Sequence, residues 1–536
     1  MQPIGTWTQN SVAPIFNALD MKAAIESVRE PLHIVRRGPG GLLGIALGGT
    51  ISTVAQAHGE SHEWMGTVPR IYPEWLGDRT FLSAHGVRFP YIVGEMATGI
   101  ATAEMVVAAA QAGMLGFFGS AGLGLEVTDQ AITEIESRLP DGTPWGANLI
   151  HSPAEPEMEM AIVELFLRRG VRLVSASAFM GITPAVVRYA LSGVRLDPDT
   201  GAVQRTNHVF AKISRVEVAR PFLMPAPQSI LDALVAQGYL THDEARLGEH
   251  IPIAGDITAE ADSGGHTDNR PLTVLLPTIL ALRDEICASQ GYSSPVRVGA
   301  SGGLGVPSAV AAAFALGAAF VMTGSVNQSA LEAGTSPEVK RVLAQTGMAD
   351  VMMAPAADMF ELGVKVQVLK RGTLFGARAQ MLYDIYIKHD DLESLPPKLR
   401  SSLEKDIFRE SLDLTWKRTR QYWMNRNPDE VARAEREPKH RMALCFRAYL
   451  GEASRWARFG DPERKLDYQI WCGPAMGAFN AWVKGTYLET PENRTVAQIG
   501  LNLLEGAAVV TRVQQLRTHA LDLVPETFDF RPRPLA

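Results

Sequence analysis

From about residue 85 to about 325 the chain alternates short apolar, β-branched runs with alanine-rich stretches long enough for a helix. The apolar runs are Tyr91–Gly94, Leu115–Gly119, Trp145–Ile150, Arg172–Ala176, His208–Ser214, Ile251–Ile257, Val296–Ala300 and Phe320–Thr323. Between most of them lie helix-length segments such as Thr102–Ala112, Pro156–Arg169, Leu272–Ser289 and Pro307–Leu316. Strands alternating with helices predict parallel βαβ units. Eight such strands close a (β/α)8 barrel over a span near the usual ~250 residues. An open doubly wound sheet is the competing arrangement. The chain has no G-x-G-x-x-G turn, which counts against a dinucleotide-binding sheet.

The expected fold is therefore α/β, a TIM barrel over residues 81–375, with other segments on either side. Residues 1–80 read as an irregular N-terminal extension with one helix over Ser11–Val28. The interval between the fifth and sixth runs is too long for one helix. It holds Met224-Pro225-Ala226-Pro227, a helical stretch Ser229–Gln237 and a charged stretch Thr241–Glu249. An insertion at about 215–250, beside a catalytic face, is expected to serve as a lid. Residues 376–536 switch to long charged helices containing tryptophans, broken at Pro396-Pro397 and Asn427-Pro428, and read as an appended α-helical C-terminal domain.

Composition narrows the class. Hydrophobic residues make up 46% and charged residues 20% of 536, ordinary for a globular chain of two or three units. A net charge of −7 gives no global attraction to nucleic acid or an anionic membrane. Cys287, Cys445 and Cys472 are too few and too scattered for a disulfide framework or a zinc site, so no metal is expected. The first residues lack a signal-peptide pattern, and the early apolar run Gly40–Ala46 is too short to span a bilayer. The expectation is a cytoplasmic protein.

Candidate chemistry gathers at the predicted strand ends, where α/β barrels keep their active sites. After the sixth run comes Ala261-Asp262-Ser263-Gly264-Gly265-His266-Thr267-Asp268-Asn269-Arg270. Paired glycines allow close backbone approach to a flat or charged ligand, and His266 suits proton transfer near neutral pH. Asp262, Asp268 and Arg270 are expected to brace the loop by mutual ion pairs. Gly302 and Gly303 after the seventh run, with Gly324 and Ser325 after the eighth, match the usual phosphate-binding position of a barrel. Met96 and Ala97 follow the first run among small residues that leave room for a flat ring. Asn148 and Lys212 are polar groups within apolar runs, so each needs a polar partner. From Trp416 to Arg447 nine Lys/Arg stand against four Asp/Glu, either a solvated helix face or a landing patch for an acidic partner. The tryptophans at 416, 423, 456, 471 and 482 read as the core of the helical domain.

Five stretches resemble the PfaD-type enoyl reductases: Glu260–Pro271, Asn148–Pro153, Ala354–Phe360, Lys370–Thr373 and Asp467–Trp471. The resemblance runs from about 75 to about 515. Those proteins are trans-acting subunits of polyunsaturated fatty acid synthases and some polyketide synthases. They share an FMN-binding barrel with the FabK-type enoyl reductases and the nitronate monooxygenases. The resemblance implies FMN at the barrel mouth, with Met96, Ala97, Asn148 and Lys212 around its ring and ribityl chain. Gly265 and His266 would lie beside the ring, and Gly302, Gly303, Gly324 and Ser325 would hold the phosphate. It implies reduction of 2-enoyl thioesters on acyl carrier protein by NADPH or NADH, with His266 and Lys212 as candidate catalytic groups and a homodimer as the assembly. A nitronate-oxidising flavoenzyme and a non-catalytic carrier-docking scaffold are the alternatives.

Overall fold

The computed structural model describes residues 2–53, 60–153 and 155–536. The barrel strands are Tyr91–Val93, Leu115–Phe118, Gly146–Ile150, Leu173–Ser177, His208–Ile213, Asp256–Glu260, Arg297–Ser301 and Val321–Thr323. They pair in parallel in chain order, and the eighth closes on the first through Val321 opposite Tyr91. The sixth strand lies at 256–260 rather than at the expected 251–257. Ile253 and Ala254 are apolar because they are buried under the helix Val216–Leu223, to whose end their N–H groups bond. Their hydrophobicity reports packing, not a strand.

Alternate residues of a barrel strand face inward. On the fifth strand Phe210 lies low and Lys212 high. Phe210 meets Phe81, Phe117 and Phe320 edge-on, and together they fill the lower half of the barrel. The helix Arg79–His85 closes the floor. There His85 Nε2 lies 3.0 Å from Asp256 Oδ2, and Arg297 donates to both oxygens of Asp256 at 2.6 and 2.8 Å. Asp256 is fully buried; burial alone would raise its pKa, but His85 and Arg297 hold the carboxyl down at about 2.

The insertion is not a lid. Its helices Gln228–Ala236 and His242–Gly248 pack on the barrel helix Pro184–Leu191 and on the hairpin Arg195–Leu196/Val203–Gln204. Glu244 accepts the Gly193 N–H at 2.5 Å. That hairpin precedes the fifth strand, so the insertion sits on the wall and toward the N-terminal rim, away from the strand ends that carry chemistry.

The N-terminal segment is not irregular. It forms a five-stranded antiparallel sheet in the order Leu43–Leu47, Leu32–Arg36, Ser61–Val68, Gly5–Thr8, Thr50–Ser52. The helix expected over Ser11–Val28 shrinks to Met21–Glu26. Leu32–Arg36 and Leu43–Leu47 form a hairpin around Gly38-Pro39-Gly40-Gly41, with Leu32 opposite Leu47.

The C-terminal helices divide between two cores. Helices Phe375–Lys388, Leu412–Arg426 and Pro438–Phe459 surround a cluster that includes Phe360, Phe446 and Tyr449. Trp416 and Trp456 pack on that cluster, whereas Trp482 joins the barrel-side core and Trp471 touches both. The helix Val496–Thr518 lies along the barrel helix Pro307–Ala315. It is long and apolar enough to cross a membrane, yet 78% of its most apolar stretch is buried inside the protein.

Candidate active site

The upper half of the barrel holds a chain of charged groups. Lys212 Nζ lies 3.1 Å from Glu95 Oε1, just past the first strand, and 3.2 Å from Glu260 Oε1, which ends the sixth. Ser175 on the fourth strand donates to Glu95 at 2.9 Å, and Ser263 donates to Glu260 at 3.3 Å. Burial opposes the Lys212 charge, but the two carboxylates overcome it and hold the ammonium above its ordinary range. Burial raises the Glu260 carboxyl against the pull of Lys212, and the Glu95 charge adds to the rise. Glu95 Oε2 is buried with no partner among the described residues. The site is thus a single cation between two carboxylates, with one carboxylate oxygen still unsatisfied.

Asn148 has the partners its burial requires. Its Nδ2 donates to Ser175 O at 3.0 Å and to Ser177 Oγ at 2.8 Å, while its backbone carbonyl accepts the Ser120 hydroxyl at 2.5 Å. Met96 is buried at the end of the first strand and Ala97 is half-buried beside it.

His266 follows the sixth strand and belongs to a two-residue strand that pairs antiparallel with Lys365–Leu369. Its Nε2 lies 3.3 Å from Asp358 Oδ2. The His266 side chain is 42% exposed; what desolvation it meets opposes the imidazolium, but the hydrogen bond and charge of Asp358 raise its pKa above the ordinary value. The paired glycines before it have different tasks. A Cβ on Gly264 would stand 2.8 Å from the Cys472 backbone, so this glycine admits another segment of the chain rather than a ligand. Gly265, at φ +81°, meets only the Trp471 ring, 4.0 Å from where a Cβ would stand. The expected mutual ion pairs are absent among the described residues. Asp268 pairs with Arg215 at 2.6 Å, and Asp262 accepts from Asn269 and Gln367 at 2.8 and 2.7 Å.

The seventh and eighth strand ends form a glycine rim. Gly302 and Gly303 both take positive φ, +83° and +71°. A Cβ on Gly303 or Gly324 would meet nothing within 4 Å, so open space lies over both. Among the described residues no carbonyl or side chain accepts from the N–H groups of Gly303, Gly324 or Ser325. Unpaired N–H groups beside open space are what a phosphate needs. Ser325 Oγ accepts the Gly473 N–H at 3.1 Å, so its hydroxyl proton remains available.

A family model described as nitronate monooxygenase matches residues 79–382, the barrel together with this rim. The chain belongs to the nitronate monooxygenase family. A second model, described as the inserted helical domain of [acyl-carrier-protein] S-malonyltransferase, matches residues 389–468 of this family member. The chain is 47% identical over 467 residues to a subunit of the polyunsaturated fatty acid synthase of Thraustochytrium sp., covering 86% of this chain and 31% of that protein. It is 44% identical over 440 residues to the polyketide biosynthesis protein PksE of Bacillus subtilis, covering 82% and 57%. Thus it spans less than two thirds of either curated relative. The crystal structure of the enoyl reductase domain of MlnA, from the macrolactin cluster of Bacillus amyloliquefaciens, superposes with a TM-score of 0.79 at 39% identity. That match covers 83% of this chain and 99% of that domain. The PfaD-type resemblance read from the sequence agrees with these relatives.

In this family member the structure gathers Lys212, Asn148 and Met96 at the barrel mouth and Gly302, Gly303, Gly324 and Ser325 along its rim. It adds Glu95, Ser175, Glu260 and Asp358, to which the sequence assigned no role. Glu95 and Glu260 were findable as carboxylates at the ends of apolar runs; Asp358 was marked only by lying in the Ala354–Phe360 stretch, which gave it no role. The basic run loses most of its free charge to the chain's own carboxylates. Arg418 pairs with Glu410, Arg420 with Glu435, Arg426 with Glu155, Arg433 with Glu437, Arg441 with Glu393 and Arg447 with Glu361. Only Lys417 and Arg436 stay exposed without an ion pair among the described residues.

Proposed function

We propose that this chain is an FMN-dependent enoyl reductase that uses NADPH or NADH to saturate 2-enoyl thioesters on acyl carrier protein during polyunsaturated fatty acid or polyketide synthesis. The observation that carries the reading is the match to the MlnA enoyl reductase domain, at 39% identity over 99% of that domain. The mouth fits FMN on its own terms. The unpaired N–H groups and open space at Gly303, Gly324 and Ser325, beside Gly302, would hold its phosphate. Met96, Ala97, Asn148 and Lys212 would border its ring and ribityl chain, and Gly265 and His266 would flank them.

When bound, FMN supplies hydride transfer between the nicotinamide donor and the substrate, while the protein orients and polarises. The chain's own residues supply charge and protons. Lys212 is held cationic by Glu95 and Glu260 and would offer the cofactor a positive charge. His266 gives its Nε2 to Asp358, which leaves Nδ1 to face a substrate. As a hydrogen-bond donor to the thioester oxygen, it would stabilise the enolate that forms when hydride reaches Cβ. The helical segment 389–468 is the part that would receive the carrier protein, through Lys417 and Arg436 rather than the whole basic run.

The test is NADPH-dependent reduction of crotonyl-carrier protein by the purified yellow protein. His266→Ala should keep FMN and lose about 10²–10⁴-fold of that turnover. Undiminished reduction by the variant would remove His266 from the chemistry. The nitronate monooxygenase match favours a second reading, oxidation of a nitronate by dioxygen. Oxygen uptake with a nitronate, absent enoyl reduction, would select it.

A further inference from the structure

The motif Asn148–Pro153 places a second imidazole on the rim, and the reading above gives it no task. His151 directly follows the third strand, and its N–H bonds to Ser177 O at 3.1 Å, so the sheet itself fixes its height. Its Nδ1 lies 3.0 Å from Glu159 Oε2. The same oxygen accepts the Ser152 N–H at 3.0 Å, and the other oxygen accepts the Thr183 hydroxyl. The Glu159 side chain is only 3% exposed and receives all three as an acceptor. With the Ser152 N–H and the Thr183 hydroxyl already donating to it, Glu159 is placed to accept from Nδ1 as well, which leaves Nε2 as the ring nitrogen without a partner among the described residues. The ring stacks on Phe179 at 5.1 Å and 23°, and Phe179 in turn packs edge-on against Phe222. With 16% of its side chain exposed, His151 is oriented on two sides and open on a third.

Its place on the rim matters as much as its geometry. In the closed order of eight strands the third lies opposite the seventh, whose loop carries Gly302 and Gly303. His266 follows the sixth. Strand order therefore puts the two imidazoles on different sides of the barrel's C-terminal rim. A carboxylate that merely tied the third and fourth strand loops together would have its partners in Ser152 and Thr183. The imidazole adds its stack on Phe179 to that tie and still leaves Nε2 free.

We propose that His151 is a further catalytic residue, the acid that protonates Cα, and that Glu159 positions it. This rests on the enoyl reductase reading. Hydride reaching Cβ breaks the C=C π bond and leaves its electron pair as a thioester enolate. Nε2–H of the His151 imidazolium gives its proton to Cα, forming the second C–H bond, while Nδ1–H stays on Glu159. The neutral ring regains a proton from water. One NAD(P)H and one proton are consumed for each double bond reduced. His266 keeps the thioester oxygen, and the two protonic tasks fall to two histidines.

The test uses the full chain loaded with FMN, NADPH in D2O and the crotonyl thioester of N-acetylcysteamine. His151→Gln should lower the rate at which the thioester reoxidises the reduced enzyme by about 10²–10⁴-fold and leave reduction by NADPH unchanged. Deuterium delivered to one face of Cα by the native protein should enter both faces in the variant. Glu159→Gln should lower kcat at unchanged KM and remove the Nδ1-protonated signature of His151 from the 15N spectrum of histidine-labelled protein. His151→Gln at the native rate, or a loss confined to KM with one-faced deuteration retained, would overturn the assignment while leaving the enoyl reductase reading intact. A native protein whose flavin is reduced by NADPH but not reoxidised by the thioester would overturn both.

Discussion

His266 Nε2 and Asp358 Oδ2 face each other at 3.3 Å across a short antiparallel pairing in which His266 stands opposite Val366. The loop carrying Asp358 comes from outside the eight barrel strands, so the segment beyond the barrel completes the site within it. Arg447, in the helix Pro438–Phe459, anchors the same loop by donating to Ala357 O at 2.9 Å.

This pair sets a pH dependence. Burial would lower the His266 pKa, but Asp358 outweighs it and the folded value lies above 6.5. The cation's contribution is fully present below about 6.5 and is lost as pH rises through the folded value. Asp358→Asn should move the His266 titration, followed by NMR, to lower pH. The alkaline limb of enoyl reduction should move with it. A profile that stays in place would separate this imidazole from the reaction.

Lys212→Met keeps volume but leaves Glu95 and Glu260 face to face. Removing one partner from a buried ion pair typically costs about 3–5 kcal/mol. Glu260 already titrates above its ordinary value, so its folded form favours the proton. The variant should lose stability as pH rises above about 4.5 and recover it on acidification. Denaturant midpoints at pH 5 and pH 8 measure the difference. Equal midpoints would mean that the carboxylates find another cation.

The floor gives the opposite sign. Asp256 is held at about 2 by His85 and Arg297, so its contribution is present above about 3.8 and lost as pH falls toward 2. Asp256→Asn should destabilise the barrel by about 3–5 kcal/mol at neutral pH, because it leaves Arg297 without its buried counter-charge. Thermal unfolding should also lose much of its acid sensitivity between pH 4 and pH 2 in this variant.

Gly324 offers a test of cofactor binding that spares the fold. Its φ is −123° and a Cβ there meets nothing within 4 Å, so an added methyl has room in the protein alone. Gly324→Ala should fold with native thermal stability and lose flavin absorbance on ultrafiltration. A variant that stays yellow would place the phosphate elsewhere.

The barrel was legible in the chain because a strand's apolar residues and a helix's apolar stripe are both local patterns. Period and length alone located seven of eight strands, and Gly302, Gly303 and Gly324 marked the rim by residue type. The sixth strand escaped because Ile253 and Ala254 are buried by a neighbouring helix, and burial has the same composition as a strand. The insertion was misread as a lid because sequence gives its length but not the face on which it packs. The hairpin at Leu32–Leu47 was readable from Gly38-Pro39-Gly40-Gly41 between two apolar runs, and the mixed Gly, Pro and aromatic content of the segment hid it.

The sequence by itself determined the eight-strand alternation, the glycine-rich strand ends, and which strands would carry Asn148, Lys212 and His266. Only the tertiary structure decided which charges meet. Lys212 finds Glu95 and Glu260 because closing the sheet brings the first, fifth and sixth strands around one axis, and His151 finds Glu159 because the third strand's loop folds back onto the helix that follows. Asp358 reaches His266 through an antiparallel pairing between segments about a hundred residues apart. Hydrophobic periodicity is encoded over a few residues, whereas the convergence of charged side chains depends on closure of the whole barrel, and no local pattern records it.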